Sequence, residues 1–307
     1  MQESTARKRK KHKRSDWKLT AMALPMVLFT FLMKYVPMFG WGIAFTNYRP
    51  GKRLETLEFV GLKYFKLIAY YWDDISHALC NTLGLSLLQF STVVLPMIFA
   101  VCISEFRHSR LKKITQSLVT IPNFIGWVIV YSMMFSLFST NGLINTQLLK
   151  AGLIDTPTNL LGDADMSWGL MTILDIWKGM GWGSIIYLAS ISGIDDSLYE
   201  AAKIDGAGRL ARVIHITVPG LLPVLVVQMV LSIGNILTNN FEKLLLFSNS
   251  LTMDKLEVLD IFTYRVGMLT QDYAFATAVG ILRSIASITL VLVTNAIAKK
   301  VRGEAVI

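Results

Sequence analysis

Six long stretches of this chain are apolar and nearly free of charge: about Leu19 to Phe45, Ala78 to Ser104, Ile114 to Phe138, Trp168 to Ile194, Thr217 to Leu237 and Ala274 to Ala298. A helix of about 20 apolar residues spans the hydrocarbon core of a bilayer. A charge near its centre costs about 2.5–3.5 kcal/mol on insertion scales, so charges collect between such segments. Hydrophobic residues make up 53% of the 307, mean hydropathy is +0.50, and only 17% are charged. A globular sequence carries about a quarter charged residues, and a soluble domain of this length needs a polar exterior that this chain lacks. The pattern predicts an all-α integral membrane protein with about six transmembrane helices and no attached soluble enzyme domain. It divides into a basic tail over 1–18, a membrane domain over 19–298 and a second tail over 299–307.

The first segment is long and contains Lys34 and Pro37. It is expected to kink or end at the interface, with Lys34 reaching towards the headgroups. It is too long for a cleavable signal peptide and lacks a convincing small-x-small cleavage site. Cys80 and Cys102 fall in one segment; 22 helical residues would separate them by about 33 Å, too far to pair. No metal-ligand spacing is present.

The net charge of +9 does not point to nucleic acid, because the basic residues stand in short blocks at the ends of apolar segments. The largest block, Arg7 to Arg14, precedes the first segment and reads as a retention signal on the inner face, against anionic lipid. The links carrying Arg107, Arg110, Lys112 and Lys113, then Lys203, Arg209 and Arg212, then Lys299, Lys300 and Arg302 are basic as well. By contrast, Thr140 to Ser167 holds one lysine against three aspartates, and Thr238 to Tyr273 is net acidic. The first outer loop, with Arg49, Lys52, Arg53, Lys63 and Lys66, dissents and is outvoted. Both termini are therefore expected in the cytoplasm, with Thr140 to Ser167 outside.

The basic loop over 195–219 is the most informative. Ser197 and Glu200 have capping-box spacing, so a short helix is expected to start there. Ala201 and Ala202 favour helix while presenting almost no side chain, and Gly206 permits a sharp turn. A second short helix is expected from Gly208, ending where Pro219 and Pro223 open the fifth segment. Such a loop forms either a plug with a small-residue tip or a plain helical connector.

Glu200-Ala201-Ala202, three residues, Gly206, nine residues, then Ile216-Thr217-Val218-Pro219 resembles the EAA loop of binding-protein-dependent ABC import permeases, departing only in Val218 for leucine. Phe59-Val60-Gly61-Leu62-Lys63-Tyr64-Phe65 is similar to a stretch of the carbohydrate-type permeases. Asp175 to Trp182 and Tyr264 to Gly267 resemble their LplB-like branch. The resemblance runs from about Pro25 onward and leaves out the basic tail. It implies the type I ABC importer permease arrangement in a bacterial cell membrane, and an oligosaccharide substrate. It further implies a second, usually non-identical permease, two cytoplasmic ATPase subunits docked on the EAA loops and an external solute-binding protein. On this resemblance Tyr199, Glu200, Ala201, Ala202, Asp205 and Gly206 form the ATPase-coupling surface. The chain has no phosphate-binding G-x-x-x-x-G-K-[ST] loop, so ATP and Mg²⁺ belong to the partner ATPase and no cofactor to this chain.

Polar and aromatic residues within the segments are candidates for the substrate pathway. Asp175 and Lys178 lie one turn apart and either pair with each other or face an inter-subunit cavity. Arg283 is expected to face protein or water. Asn235 and Asn239, with Asn240, either bond a sugar or serve as caps and helix contacts. Trp127, Trp177 and Trp182 either stack on a pyranose face or anchor at the interface. Gly179 and Gly183 have the spacing that permits close helix packing. The rival functions are an ABC permease for a non-sugar solute and, against the EAA resemblance, an ion-coupled secondary transporter. The four histidines are scattered and form no catalytic cluster, and neither a filter nor a charge ring suggests a channel.

Overall fold

A computed structural model describes residues 17, 19–53, 56–234, 236–237 and 240–302. Their regular structure is helical apart from one isolated antiparallel bridge between Thr46 and Phe59. Five stretches are long and apolar enough to cross a membrane: Leu19–Phe45 (α1), Trp72–Ser104, Trp127–Lys150, Arg209–Gly234 and Tyr273–Ala296. The second comprises α3 (Trp72–Ser91) and α4 (Leu95–Ser104), joined by a 3₁₀ turn just before Pro96. The third comprises α6 (Trp127–Phe138) and α7 (Leu143–Lys150). The segment expected over Trp168 to Ile194 is α8 (Ala164–Ile191), whose 28 residues span about 42 Å at 1.5 Å each. It is long enough to cross but less apolar, because Asp175, Lys178 and its glycines interrupt it.

The chain forms two compact units. One holds the described residues up to Ala69 together with Val266–Ile281. In it, α1 changes from α to π geometry over Phe31–Tyr35, around Lys34, and to 3₁₀ geometry over Val36–Phe45. The expected irregularity at Lys34 and Pro37 is thus a change of helical winding. After α1 the chain folds back through Val60 N–H to Phe45 O at 2.8 Å, then enters α2 (Lys63–Tyr70), where Phe65 meets the Phe45 ring.

The other unit, Tyr70–Arg265 with the described residues from Leu282, is built around α8. Against α8 pack α3, α4, α5 (Ser109–Thr120), α11 (Val218–Gly234) and α13 (Met253–Leu256). One core joins Leu85, Trp127, Met171 and Leu174 to Leu244 of α12 (Phe241–Phe247) and Ile261 of α14 (Leu259–Tyr264). A second joins Met97, Ala100, Tyr187, Leu221 and Leu225. The last helix, α15 (Tyr273–Arg302), runs four residues beyond the expected boundary at 298.

Three expectations are corrected. The single segment from Ile114 to Phe138 is broken: Pro122 begins a 3₁₀ turn over Ile121–Phe124, and Ile125 and Gly126 are extended (ψ 124° and 149°) before α6. The second short helix after Gly208 is no separate element. α10 (Arg209–Arg212) winds through a π turn, Val213–Thr217, straight into α11, and Pro223 sits inside that helix. The acidic stretch from Thr238 to Tyr273 is more than a loop, for α12, α13 and α14 bury Leu244, Phe247, Leu256, Val258 and Phe262.

Candidate functional site

Two regions carry the sequence-predicted residues. The first is the hairpin between α8 and α11. Its helix, α9 (Asp196–Ile204), is capped by Asp195, whose carboxylate accepts the Ser197 N–H at 2.9 Å. The helix therefore starts two residues before the expected cap, because a carboxylate at the helix start satisfies an open N–H and complements the dipole better than a hydroxyl further in. Those bonds from Ser197 hold the Asp195 carboxyl below the usual carboxylate range. At the other end, Gly206 takes φ +78° and Ala207 N–H reaches back to Ala202 O at 2.8 Å, closing the helix. A left-handed glycine just past a helix is the commonest way to satisfy its last carbonyls.

Around this helix Glu200, Ala201, Asp205 and Gly206 are exposed, together with three large apolar side chains, Leu198, Leu210 and Ile204, the last 86% exposed. Tyr199 and Ala202 turn towards the protein instead. The Tyr199 hydroxyl shares a 2.9 Å hydrogen bond with Thr217 Oγ1, and Thr217 is buried at the base of α11. The result is a short helix with small residues and unpaired apolar side chains outside, and a polar tie into the span behind it.

The second region lies midway along α3, α8 and α11. Asp175 and Lys178 do not pair with each other. Asp175 Oδ2 accepts from Lys243 Nζ at 2.5 Å, and Lys243, on α12, is only 5% exposed. Lys178 Nζ turns to the broken third segment and donates to the carbonyls of Pro122 (3.1 Å), Asn123 (2.8 Å) and Ile125 (2.5 Å). An ammonium has three donors and no acceptor, and carbonyls at a helix break lack intrahelical partners, so the match removes two problems at once. Both ammonium groups also sit over the Trp127 ring, at 5.4 and 5.6 Å from its centroid. Trp127 is 6% exposed, so it packs under two cations and neither anchors at an interface nor offers a face to a ligand. Arg283 pairs with Asp260 of α14. Elsewhere in this unit Arg265 pairs with Glu257 at 2.6 Å; burial, opposed by Arg265, leaves the Glu257 carboxyl above its usual range.

Beside Asp175 opens a cavity of about 390 Å³, lined by Ser86, Gln89, Asp175, Gln228 and Ser232 among apolar neighbours. That volume lies within the range of small-molecule sites. Gly179 borders this cavity, and a Cβ there would meet nothing within 4 Å. The close packing expected of Gly179 and Gly183 is found at Gly183, where a Cβ would come within 3.1 Å of Pro96, and more tightly at Gly181, where it would run into the backbone of Val119 and Thr120 on α5. Trp182 is exposed and meets Phe124 edge-on at 5.8 Å, away from the cavity lining, and Trp177 is also exposed. Asn235 and Asn239 lie outside the described residues, while Asn240 caps α12 by accepting the Lys243 N–H.

Sequence reasoning missed Lys243, Asp260, Gln89 and Gln228. Gln89 and Gln228 were legible as amides within apolar runs. For Lys243 the signal was Asn240 ahead of Phe-Glu-Lys-Leu-Leu-Leu-Phe, a capped apolar helix inside a supposed loop. Among the described residues no group of His, Cys, Asp or Glu could hold a metal ion.

The described residues thus form a helical unit with a capped, exposed helix, α9, between α8 and the span that contains α11. Residues 92–303 match the family "Binding-protein-dependent transport system inner membrane component", and the chain belongs to that family. Its members are transport subunits of ABC importers rather than enzymes. Among its relatives, "Protein LplB" of Bacillus subtilis (strain 168) is 35% identical over 294 residues, covering 95% of this chain and 91% of the relative. The "Polygalacturonan/rhamnogalacturonan transport system permease protein YteP" of the same organism is 37% identical over 291 residues, covering 94% and 89%. A chain in the crystal structure of a bacterial alginate ABC transporter, in complex with an alginate pentasaccharide-bound periplasmic protein, superposes with a TM-score of 0.84. That chain is 30% identical, with 96% of this chain and 98% of the other covered. The fold is therefore the all-α type I ABC importer permease arrangement.

Proposed function

We propose that this chain is one permease subunit of an ATP-driven importer of oligosaccharides in a bacterial cytoplasmic membrane. A second, non-identical permease completes the pathway. Two cytoplasmic ATPases hold ATP and Mg²⁺ and dock on the hairpin around α9, and an external solute-binding protein delivers the sugar. Both termini lie in the cytoplasm, and α8 is the sixth crossing, its polar residues shielded by the five helices packed on it. Two of the relatives support the substrate class, since YteP is named for polygalacturonan and rhamnogalacturonan transport and the solved transporter for alginate.

The observation that carries the coupling role is the hairpin itself. Ala201 and Gly206 allow close approach at an exposed tip flanked by Leu198, Ile204 and Leu210, while Tyr199 ties the helix to Thr217. Glu200 and Asp205 add carboxylates for basic groups on the ATPase. When the ATPases close, α9 moves with them, and the tie to α11 carries the displacement into the spans as a rigid-body shift. Asp175 borders the pathway through the cavity it lines. Lys178 leaves the list of substrate contacts because its three donors are engaged, and Trp127 because it is buried beneath the two lysines.

The experiment is uptake of labelled oligosaccharides by proteoliposomes holding the four-subunit complex and its binding protein. Uptake should require both ATP and the binding protein and should ignore ionophores. Uptake that follows an ion gradient without ATP would overturn the proposal.

A further inference from the structure

Resting on the oligosaccharide reading above, we infer that the mid-membrane cavity beside Asp175 selects neutral sugars and rejects uronates, although relatives of this chain serve acidic polysaccharides. Three polar groups converge there from three helices: Gln89 from α3, Asp175 from α8 and Gln228 from α11. Among the described residues neither glutamine amide has a hydrogen-bond partner, and Asp175 Oδ1 accepts no bond, its Oδ2 being taken by Lys243. Free amides and a free carboxylate oxygen near the middle of spans are costly against lipid and call for a bonding partner.

The order of charges decides what that something is. The carboxylate lies at the cavity, and the ammonium of Lys243 stands behind it, 5% exposed and over the Trp127 ring. Lys178, whose ammonium lies over the same ring, is committed to three carbonyls of the broken third segment. The pair therefore presents its negative end to the cavity, and no cation is among the described lining residues. A sugar hydroxyl donates to Asp175 Oδ1 and exchanges bonds with an amide, which both donates and accepts. A uronate carboxylate is an acceptor only, and it would face a like charge in a low-dielectric site.

The test compares galactotriose with trigalacturonate in proteoliposomes holding the assembled importer and its binding protein, so that any cation contributed by the second permease is included. Two variants are measured beside the wild type: Asp175→Asn, and Asp175→Asn with Lys243→Met, which leaves no unpaired buried ammonium. Wild type should take up the neutral sugar at least about tenfold faster, and the double variant should lose about tenfold or more of that uptake, the scale of one charge-assisted hydrogen bond. Its ATPase content and binding-protein docking should be unchanged. Faster uptake of trigalacturonate, or a double variant that transports galactotriose like wild type, would overturn the inference and leave the oligosaccharide reading standing. If neither sugar nor any other oligosaccharide of a panel drives ATP-dependent uptake, the oligosaccharide reading falls and this inference with it.

Discussion

Replacing Lys178 by methionine keeps the length and most of the volume of the side chain and deletes its ammonium. Three carbonyls then lose a donor. Pro122 O retains the Ile125 N–H at 3.2 Å, so the carbonyls of Asn123 and Ile125 bear the loss. A buried acceptor left without a partner costs about 1–3 kcal/mol, and the contact with the Trp127 ring is worth about 0.5–1 kcal/mol more. Against this, methionine is far easier to bury than an ammonium, and the terms of one cluster do not add fully. A net loss of about 2–5 kcal/mol remains, which for a chain of 307 residues lowers the unfolding midpoint by roughly 3–8 °C. The assay is thermal unfolding of the detergent-purified importer followed by tryptophan fluorescence. Lys178→Arg should fall between the two, because it restores the charge while its planar fork fits three converging carbonyls poorly. A methionine variant within about 2 °C of wild type would refute the view that this lysine holds the break in the third segment.

Gly181→Ala should destabilise the protein by about 1–3 kcal/mol, since its Cβ meets the backbone of α5, whereas Gly179→Ala should leave the same unfolding midpoint unchanged. Equal effects would show that α5 and α8 do not touch at Gly181. Tyr199→Phe removes only the hydroxyl bond to Thr217, worth about 0.5–1.5 kcal/mol, so ATPase co-purification should persist while solute-stimulated hydrolysis falls several-fold. Thr217→Val should add nothing to Tyr199→Phe; fully additive losses would mean that the two residues do not act as a pair.

The membrane architecture was legible because apolar runs and charge-free lengths are local properties of the chain. Five of the expected segments are found as helices long and apolar enough to cross, or overlap them, and α8 lies where the fourth was expected. The break at Ile125 and Gly126 was not legible, since a proline in a membrane segment often leaves a helix intact, as Pro223 does here. What separates the two cases is distant in sequence. Lys178, more than 50 residues on, supplies the donors that make an open turn tolerable at Pro122. The partners of Asp175 and Arg283 escaped for the same reason. Lys243 and Asp260 stand in a stretch whose net charge reads as a solvated loop, while its apolar residues, Leu244 and Ile261 among them, complete a core that only the folded chain brings together. In the hairpin, the helix α9 was legible to within two residues because its cap and closing turn are set by neighbours within five positions. Only the inward turn of Tyr199 depends on a contact 18 residues away.

Coupling through that hairpin is best measured as solute-stimulated ATP hydrolysis by the assembled importer carrying Ala201→Trp or Gly206→Val. Both positions are exposed, and Gly206 needs the φ of +78° that valine resists, so each change alters the shape of the tip and spares the packing of the spans. Membrane insertion and pairing with the second permease should be normal, while stimulated hydrolysis and ATPase co-purification fall about tenfold or more. Glu200→Ala, which removes one charge-assisted contact worth about 1.5–3 kcal/mol and keeps the shape, should be milder. Wild-type hydrolysis from an intact complex with tryptophan at position 201 and with valine at 206 would contradict the assignment of this hairpin as the coupling element.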